Sequence, residues 1–351
     1  MGACEPADRL GRPAPARVAI LRALGLGDLL CAVPAWRALR AALPGAHVTL
    51  LGLPWARAFA ARYRRYIDGV LEFPGYPGLP ERAPALEEIP GFVREAQRRR
   101  FDLLLQMHGD GRITNPLAAT LGARRIAGFY RPGDYCPDPA RFLPYPSGGH
   151  EIHRHLHLMA FLGIPPRGDG LEFPLGEADA RALRRTPGVA GLAADAYVCV
   201  HPGGRSARRW PPDGFAAVAD ALAARGLRIV LTGVAGERDA TRAVARAMRA
   251  RPVDLAGKTT LGALGALLAR CRLLVCNDTG VSHLAAALRV PSVVVVTSSD
   301  PERWAPLDRV RHRLAGGPAG PATPAHVLAH ADDLLRTGSA RGPGAAGPPA
   351  A

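Results

Sequence analysis

The chain has 351 residues, enough for two domains of ordinary size, and 48% of them are hydrophobic, so a sizeable core can be buried. No apolar run reaches the ~18 residues of a membrane span, and no basic stretch followed by an apolar one marks a secretory signal. The formal net charge of +15 would suit a polyanion, but Lys258 is the sole lysine and the arginines are scattered, which reads as compositional bias rather than a nucleic-acid surface.

Residues 1–15 are rich in Pro, Ala and Gly and read as a loose tail, as do residues 338–351. Between them, short apolar runs alternate with helical patterns, which predicts parallel sheets covered by helices. In the first half, strands are expected at 18–21, 47–51, 70–73, 101–107 and 125–129. Helices are expected at 29–42, 85–100 and 150–162, and residues 130–148 read as loop. A Pro- and Gly-rich connector spans 164–195. The pattern then restarts, with strands at 197–200, 227–232, 273–276 and 292–296, and helices at 213–225, 237–249, 261–270 and 279–288. Two such arrays imply two Rossmann-like domains, 16–163 and 196–320, followed by a terminal helix at 321–337. Sheets of this kind bind ligands at the carboxyl ends of their strands.

Four segments and one further acidic residue could carry chemistry. The turn Arg22–Asp28 follows the first strand; Leu30 stands where a dinucleotide fingerprint needs its third glycine, so no nicotinamide site is expected. Asp28 then reads as a helix N-cap or, alternatively, as a carboxylate ready to accept a proton. Asn277-Asp278-Thr279-Gly280, with His283 one turn on, opens a helix whose free N–H groups suit a phosphate; an ordinary capped helix fits equally well. His201-Pro202-Gly203-Gly204-Arg205, running on to Arg209-Trp210, sets glycines before cations and could cradle a diphosphate, or be a solvated arginine loop. Of the histidine group His150, His153, His155 and His157, the first, second and last share a helical face, with Glu151 on another. They read as a polar face, with a metal site the lesser alternative. Glu237, after Gly233–Gly236, could take a ribose diol or simply favour a helix start. Cys4, Cys31, Cys136, Cys199, Cys271 and Cys276 form no C-x-x-C pair, so zinc-ribbon and redox motifs are excluded and reduced, cytoplasmic thiols are expected.

Taken in order, these stretches resemble glycosyltransferase family 9, the ADP-heptose:lipopolysaccharide heptosyltransferases. The matching residues are Gly27-Asp28-Leu29-Leu30 with Pro34, 101–109, His201–Gly204 with Arg209-Trp210-Pro211, Leu231–Gly233 with Glu237, Leu255–Lys258, and Asn277–Gly280 with His283. The resemblance implies an α/β GT-B fold, two Rossmann-like domains facing each other across a cleft, with the acceptor on the first and a nucleotide-sugar donor on the second. It implies an inverting, metal-independent transferase without a cofactor, moving a heptose-like sugar, with ADP-heptose the expected donor, to a hydroxyl of a cell-envelope glycan or lipid-linked acceptor. Asp28 would be the base. Gly203, Gly204, Arg205 and Arg209 would face the leaving diphosphate. Asp278, Thr279, Gly280 and His283 would hold the phosphates and sugar, Glu237 the ribose, and Lys258 the edge of the base. A lipid-linked acceptor would place the enzyme at the inner face of the cell membrane. Ala23-Leu24-Gly25 stands where heptosyltransferases often carry a small hydroxyl residue. A GT-B nucleotide-sugar 2-epimerase and a non-catalytic basic nucleic-acid- or membrane-binding protein are the alternatives.

Overall fold

Val18, Ala19, Ile20 and Leu21 are fully buried, as residues of a strand covered on both faces must be. They form β1 (Arg17–Leu21) of a computed structural model that describes residues 9–204 and 209–337. The chain divides into two compact units between Pro174 and Leu175. That point lies inside the stretch 164–195 expected as a connector.

The first unit carries α1 (Leu26–Ala42), β2 (His47–Gly52), α2 (Ala56–Ala60), β3 (Gly69–Glu72), α3 (Ile89–Arg98), β4 (Leu103–Gln106), α4 (Thr114–Thr120), β5 (Ile126–Tyr130), β6 (Phe142–Pro144) and α5 (Glu151–Phe161). Its six strands run in the order β3-β2-β1-β4-β5-β6, all parallel. One face of the sheet is filled by Ala19, Leu21, Leu51, Phe92, Phe101, Leu104 and Leu117. Elsewhere in the unit, Trp36 meets Phe59 and Tyr63 edge-on, with ring centroids 6.3 Å apart in both pairs. Residues 9–15, expected in the loose tail, are held here: Arg9 donates to the carbonyl of Phe161 (2.7 Å) and Arg125 to that of Pro13 (3.3 Å).

The second unit begins with α6 (Glu177–Arg184), which packs on α9 (Leu261–Ala269). It continues with β7 (Tyr197–His201), α7 (Pro212–Ala223), β8 (Arg228–Leu231), α8 (Arg238–Ala247) and β9 (Val253–Asp254). After α9 come β10 (Leu273–Asn277), α10 (Gly280–Ala287), β11 (Ser292–Val296), α11 (Pro301–Trp304), β12 (His312–Gly316) and α12 (Pro324–Thr337). The strand order is β12-β11-β10-β7-β8-β9, again all parallel. Val198, Val200, Phe215, Leu231, Val275, Val293 and Val295 form its core with Val327 and Leu334 of the terminal helix. Each such side chain stabilises the fold by about 1.5–3 kcal/mol.

Three expectations are corrected. The first long helix starts at Leu26 rather than Leu29, because Gly25 ends the turn. Residues 130–148 are not all loop, since Phe142–Pro144 adds an edge strand. The connector contains the amphipathic helix α6, whose Leu183 is buried. The tail 338–351 lies outside the described residues. Among the described residues no helix is long and apolar enough to cross a membrane.

Candidate active site

In the first unit the chemistry gathers where β1 stops. Gly25 takes the N-cap place of α1, so Asp28 is the third residue of the helix and not its cap. The carboxylate, 28% exposed, lies in the first turn, where the helix dipole favours negative charge. Behind it stands Arg22, whose side chain is fully buried. Its Nε donates to the Asp28 carbonyl (2.8 Å), its Nη1 to the Met107 carbonyl, and its Nη2 to Glu151 Oε1 (3.2 Å); Nη2 also lies 3.8 Å from Asp28 Oδ1. Glu151 is itself buried, with Arg154 Nη1 at 3.7 Å and His155 Nε2 at 3.2 Å. Burial, helped by the positive charge of Arg22, pushes the His155 pKa down to about 4, so the ring is neutral at pH 7. Two cations, Arg22 and Arg154, thus stand against two carboxylates, Glu151 and Asp28.

Neighbouring loops pin the same turn. The Ala23 N–H donates to His108 Nδ1 (3.3 Å), and the His108 N–H donates to Gln106 Oε1 (2.9 Å). Gln106 Nε2 in turn donates to Thr114 Oγ1 and Asn115 Oδ1, both at 2.8 Å. Of the stretch 101–109 singled out in the sequence, Gln106 and His108 thus belong to a buried polar chain, while Phe101, Leu103, Leu104 and Leu105 are apolar core.

The histidine group disperses. His150 caps α5, its Nδ1 accepting from the Ile152 N–H (3.2 Å). His153 is exposed and pairs with Asp169 (3.0 Å), which holds that carboxyl below its ordinary range. His157 is exposed. Among the described residues no group of three or more His, Cys, Asp or Glu could hold a metal ion.

In the second unit the turns after β7, β8, β9 and β10 sit side by side, because these strands are neighbours in the sheet. Glu237 ties two of them together: its Oε1 accepts from the Gly204 N–H (2.6 Å) and its Oε2 from the Val234 N–H (2.9 Å). A Cβ on Gly203 would fall 2.3 Å from the Glu237 carboxyl carbon, so a larger residue there would have to displace that carboxylate. Gly204 has φ +137° and faces Thr279, whose Cβ lies 3.6 Å from where a side chain would begin. Asn277, buried at the end of β10, donates to the carbonyls of Pro202 (2.9 Å) and Gly203 (3.1 Å) and accepts from the Trp210 N–H (3.2 Å). Arg209 is exposed and its guanidinium folds back on the Gly204 carbonyl through Nε (2.8 Å) and Nη2.

Around this centre, His201 is buried with Nδ1 3.0 Å from Thr232 Oγ1 and Nε2 3.6 Å from Glu237. Burial lowers its pKa, against the pull of Glu237. Thr279 is the N-cap of α10 in extended backbone, and Gly280 is the first helical residue. Asp278 accepts from the Ser299 hydroxyl. His283 is buried, its ring edge-on to Trp304 at 6.2 Å. The Gly257 N–H donates to the Gly233 carbonyl (2.8 Å), which brings the Lys258 turn beside Glu237's own turn. The exposed Lys258 ammonium donates to the Asp254 carbonyl (2.7 Å).

Residues 92–318 match the family model for glycosyltransferase family 9 (heptosyltransferase). The chain belongs to that family. Lipopolysaccharide heptosyltransferase 3 of Escherichia coli is 27% identical over 294 residues, 80% of this chain and 83% of that one. The solved ADP-heptose lipopolysaccharide heptosyltransferase II of E. coli superposes with a TM-score of 0.74 at 20% identity, covering 92% of this chain and 100% of that one. A more distant fold relative, at TM-score 0.55 and 16% identity, is the iron-containing dodecameric glycosyltransferase TibC of enterotoxigenic E. coli; it covers 93% of this chain and 80% of that one. The fold is therefore α/β of the GT-B kind, and the protein is a glycosyltransferase.

Within this family 9 enzyme, Gly203, Gly204, Arg209, Glu237 and Thr279 converge on one cluster, with Asp278, Gly280 and Lys258 on its border and His283 buried in α10. Arg205 lies outside the described residues. Sequence reasoning named Asn277, His201, Arg22 and Glu151 only as parts of motifs, gave them no role of their own, and did not name Ser299; the geometry makes all five prominent. Asn277 had a legible signal, a lone amide closing an apolar strand. Arg22 did not, because nothing in so arginine-rich a chain sets it apart.

Proposed function

We propose that this family 9 glycosyltransferase moves a heptose from ADP-heptose to a hydroxyl of a lipopolysaccharide-type acceptor, with inversion and without a metal. One observation carries the donor assignment: Glu237 and Asn277 lock the Gly203–Gly204 loop against Thr279 at the strand ends. The glycines let the loop come close, and the start of α10 and the exposed Arg209 there offer N–H groups and positive charge to a diphosphate. The relatives named for lipopolysaccharide and ADP-heptose support the sugar, nucleotide and acceptor class.

In this reading the acceptor oxygen attacks the anomeric carbon while Asp28 takes its proton. The bond from that carbon to the diphosphate oxygen breaks, and ADP leaves with the electron pair. Charge growing on the diphosphate is met by Arg209 and the amides at the start of α10, which is the largest kind of contribution a site can make to such a step. Glu237 meets the ribose, Lys258 borders the base, and Asp278 with His283 borders the sugar. A lipid-borne acceptor would have the enzyme work at the inner face of the cell membrane.

The test compares wild type with Asp28→Asn using ADP-heptose and heptose-deficient lipopolysaccharide. Loss of a positioned base costs about 10²–10⁴-fold in turnover, with ADP binding unchanged in a thermal-shift titration. Turnover within threefold of wild type would remove Asp28 as base. Stronger thermal shifts with uridine or guanosine diphosphate than with ADP would overturn the donor.

A further inference from the structure

We infer that Arg22, held by Glu151, is the positioning residue for Asp28; this rests on the reading in which Asp28 accepts the acceptor proton. A fully buried guanidinium is costly unless each nitrogen is paired, so its place at the end of β1 calls for a reason. All three of its nitrogens are engaged, and they reach three separate elements. Nη1 bonds the Met107 carbonyl after β4, Nη2 bonds Glu151 in α5, and Nε bonds the Asp28 carbonyl in α1.

The guanidinium therefore grips Asp28 twice, through its backbone carbonyl at 2.8 Å and its carboxylate at 3.8 Å. The main chain cannot turn about the helix axis without breaking the first contact. The side chain cannot swing away without leaving the second. The groups facing Arg22 and Glu151 also include Arg154 and the neutral His155, so the charges around the pair stay balanced. His108 adds a third brace through the Ala23 N–H. The exposed part of the network is Asp28 itself; Arg22 and Glu151 are shielded and act through it. Lysine would keep the charge but not the planar fork, so it could hold one of these three directions at a time.

The experiment measures kcat and KM for ADP-heptose, with heptose-deficient lipopolysaccharide as acceptor, in Arg22→Met, Arg22→Lys, Glu151→Gln and the double variant Arg22→Met/Glu151→Met. Misplacing a reacting group by about 1 Å costs about 100-fold. The expected result is that loss in kcat for Arg22→Met and the double variant, with donor KM and the ADP thermal shift kept. Arg22→Lys is expected to recover part of kcat. Should Arg22→Met fail to fold, the double variant removes both buried charges, and Glu151→Gln keeps the shape while weakening the grip. A folded double variant turning over within threefold of wild type would overturn the inference. Full activity in Asp28→Asn would overturn it by a separate route, by removing the base that Arg22 is said to position.

Discussion

Glu237 and Gly204 belong to different strand ends, yet the Glu237 carboxylate accepts the Gly204 N–H at 2.6 Å and occupies the place a Cβ on Gly203 would take. That contact makes the glycine loop and the acid one unit. Gly203→Ala should drive the new methyl into the carboxylate and weaken ADP binding by about tenfold or more, as overpacking at a cost of 1–3 kcal/mol implies. Glu237→Ala alone should also weaken ADP binding, and the double variant should lose less than the sum of the two, because the clash goes with the carboxylate. Titration calorimetry on the two single variants and the double closes the cycle. Strictly additive losses would show that the two positions act independently.

Asn277 makes three hydrogen bonds while buried, to Pro202, Gly203 and Trp210. Asn277→Ala leaves these backbone groups unpaired, at about 1–3 kcal/mol for each one left without a partner. Both thermal stability and ADP affinity should fall, since the amide supports the second unit's fold and its loop together. Aspartate at 277 could still accept from the Trp210 N–H but would set a charge against two carbonyls, so it should be no better than alanine.

In the proposed reaction Arg209 would offer the charge that a leaving diphosphate needs in place of a metal. Arg209→Met should lower kcat by about 10²-fold, the usual effect of removing one charge-stabilising donor, with Arg209→Lys intermediate. Dialysis against a chelator should leave wild-type turnover unchanged. A large loss restored by added divalent ions would overturn the metal-free reading.

Two buried histidines set an acid limit on stability. Burial lowers the pKa of His155 and of His312 to about 4, from 6.5. The unfolded chain therefore binds more protons than the folded one between those values. Stability is fully present above pH 6.5 and falls as pH drops toward 4, by up to roughly 3 kcal/mol for each ring. His312 sits with Nδ1 2.8 Å from the Ser292 hydroxyl. Urea unfolding at pH 7 and pH 4.5 should show the decline, and His312→Gln should make it shallower. A flat profile from pH 7 to 4.5 would contradict the assignment of neutral, buried rings.

Much of the fold was legible because its central strands are nearly pure apolar runs. Val18–Leu21 and Ser292–Val296 announce strands covered on both faces, and Gly25 and Gly27 after the first of them announce its turn. The missed elements are short or peripheral. Val253–Asp254 is two residues long, Phe142–Pro144 three, and both lie at a sheet edge, where pattern carries little information. The clustered residues Gly203, Gly204, Glu237 and Thr279 were legible as strand-end motifs, but their mutual contacts were not, since spatial pairing across about 30 to 75 residues leaves no local trace. Asp28 read as a helix cap from position alone. The structure gives that place to Gly25, and Asp28 instead stands over a buried arginine.

Lys258, on the exposed turn beside Glu237's own, is the sole lysine of the chain. Side-chain amine chemistry, from fluorophore coupling to attachment on a sensor surface, is thereby confined to one address, on the side of the second unit where the donor is proposed to bind. A dye coupled there would turn arrival and departure of the donor into an optical signal, without any engineered cysteine.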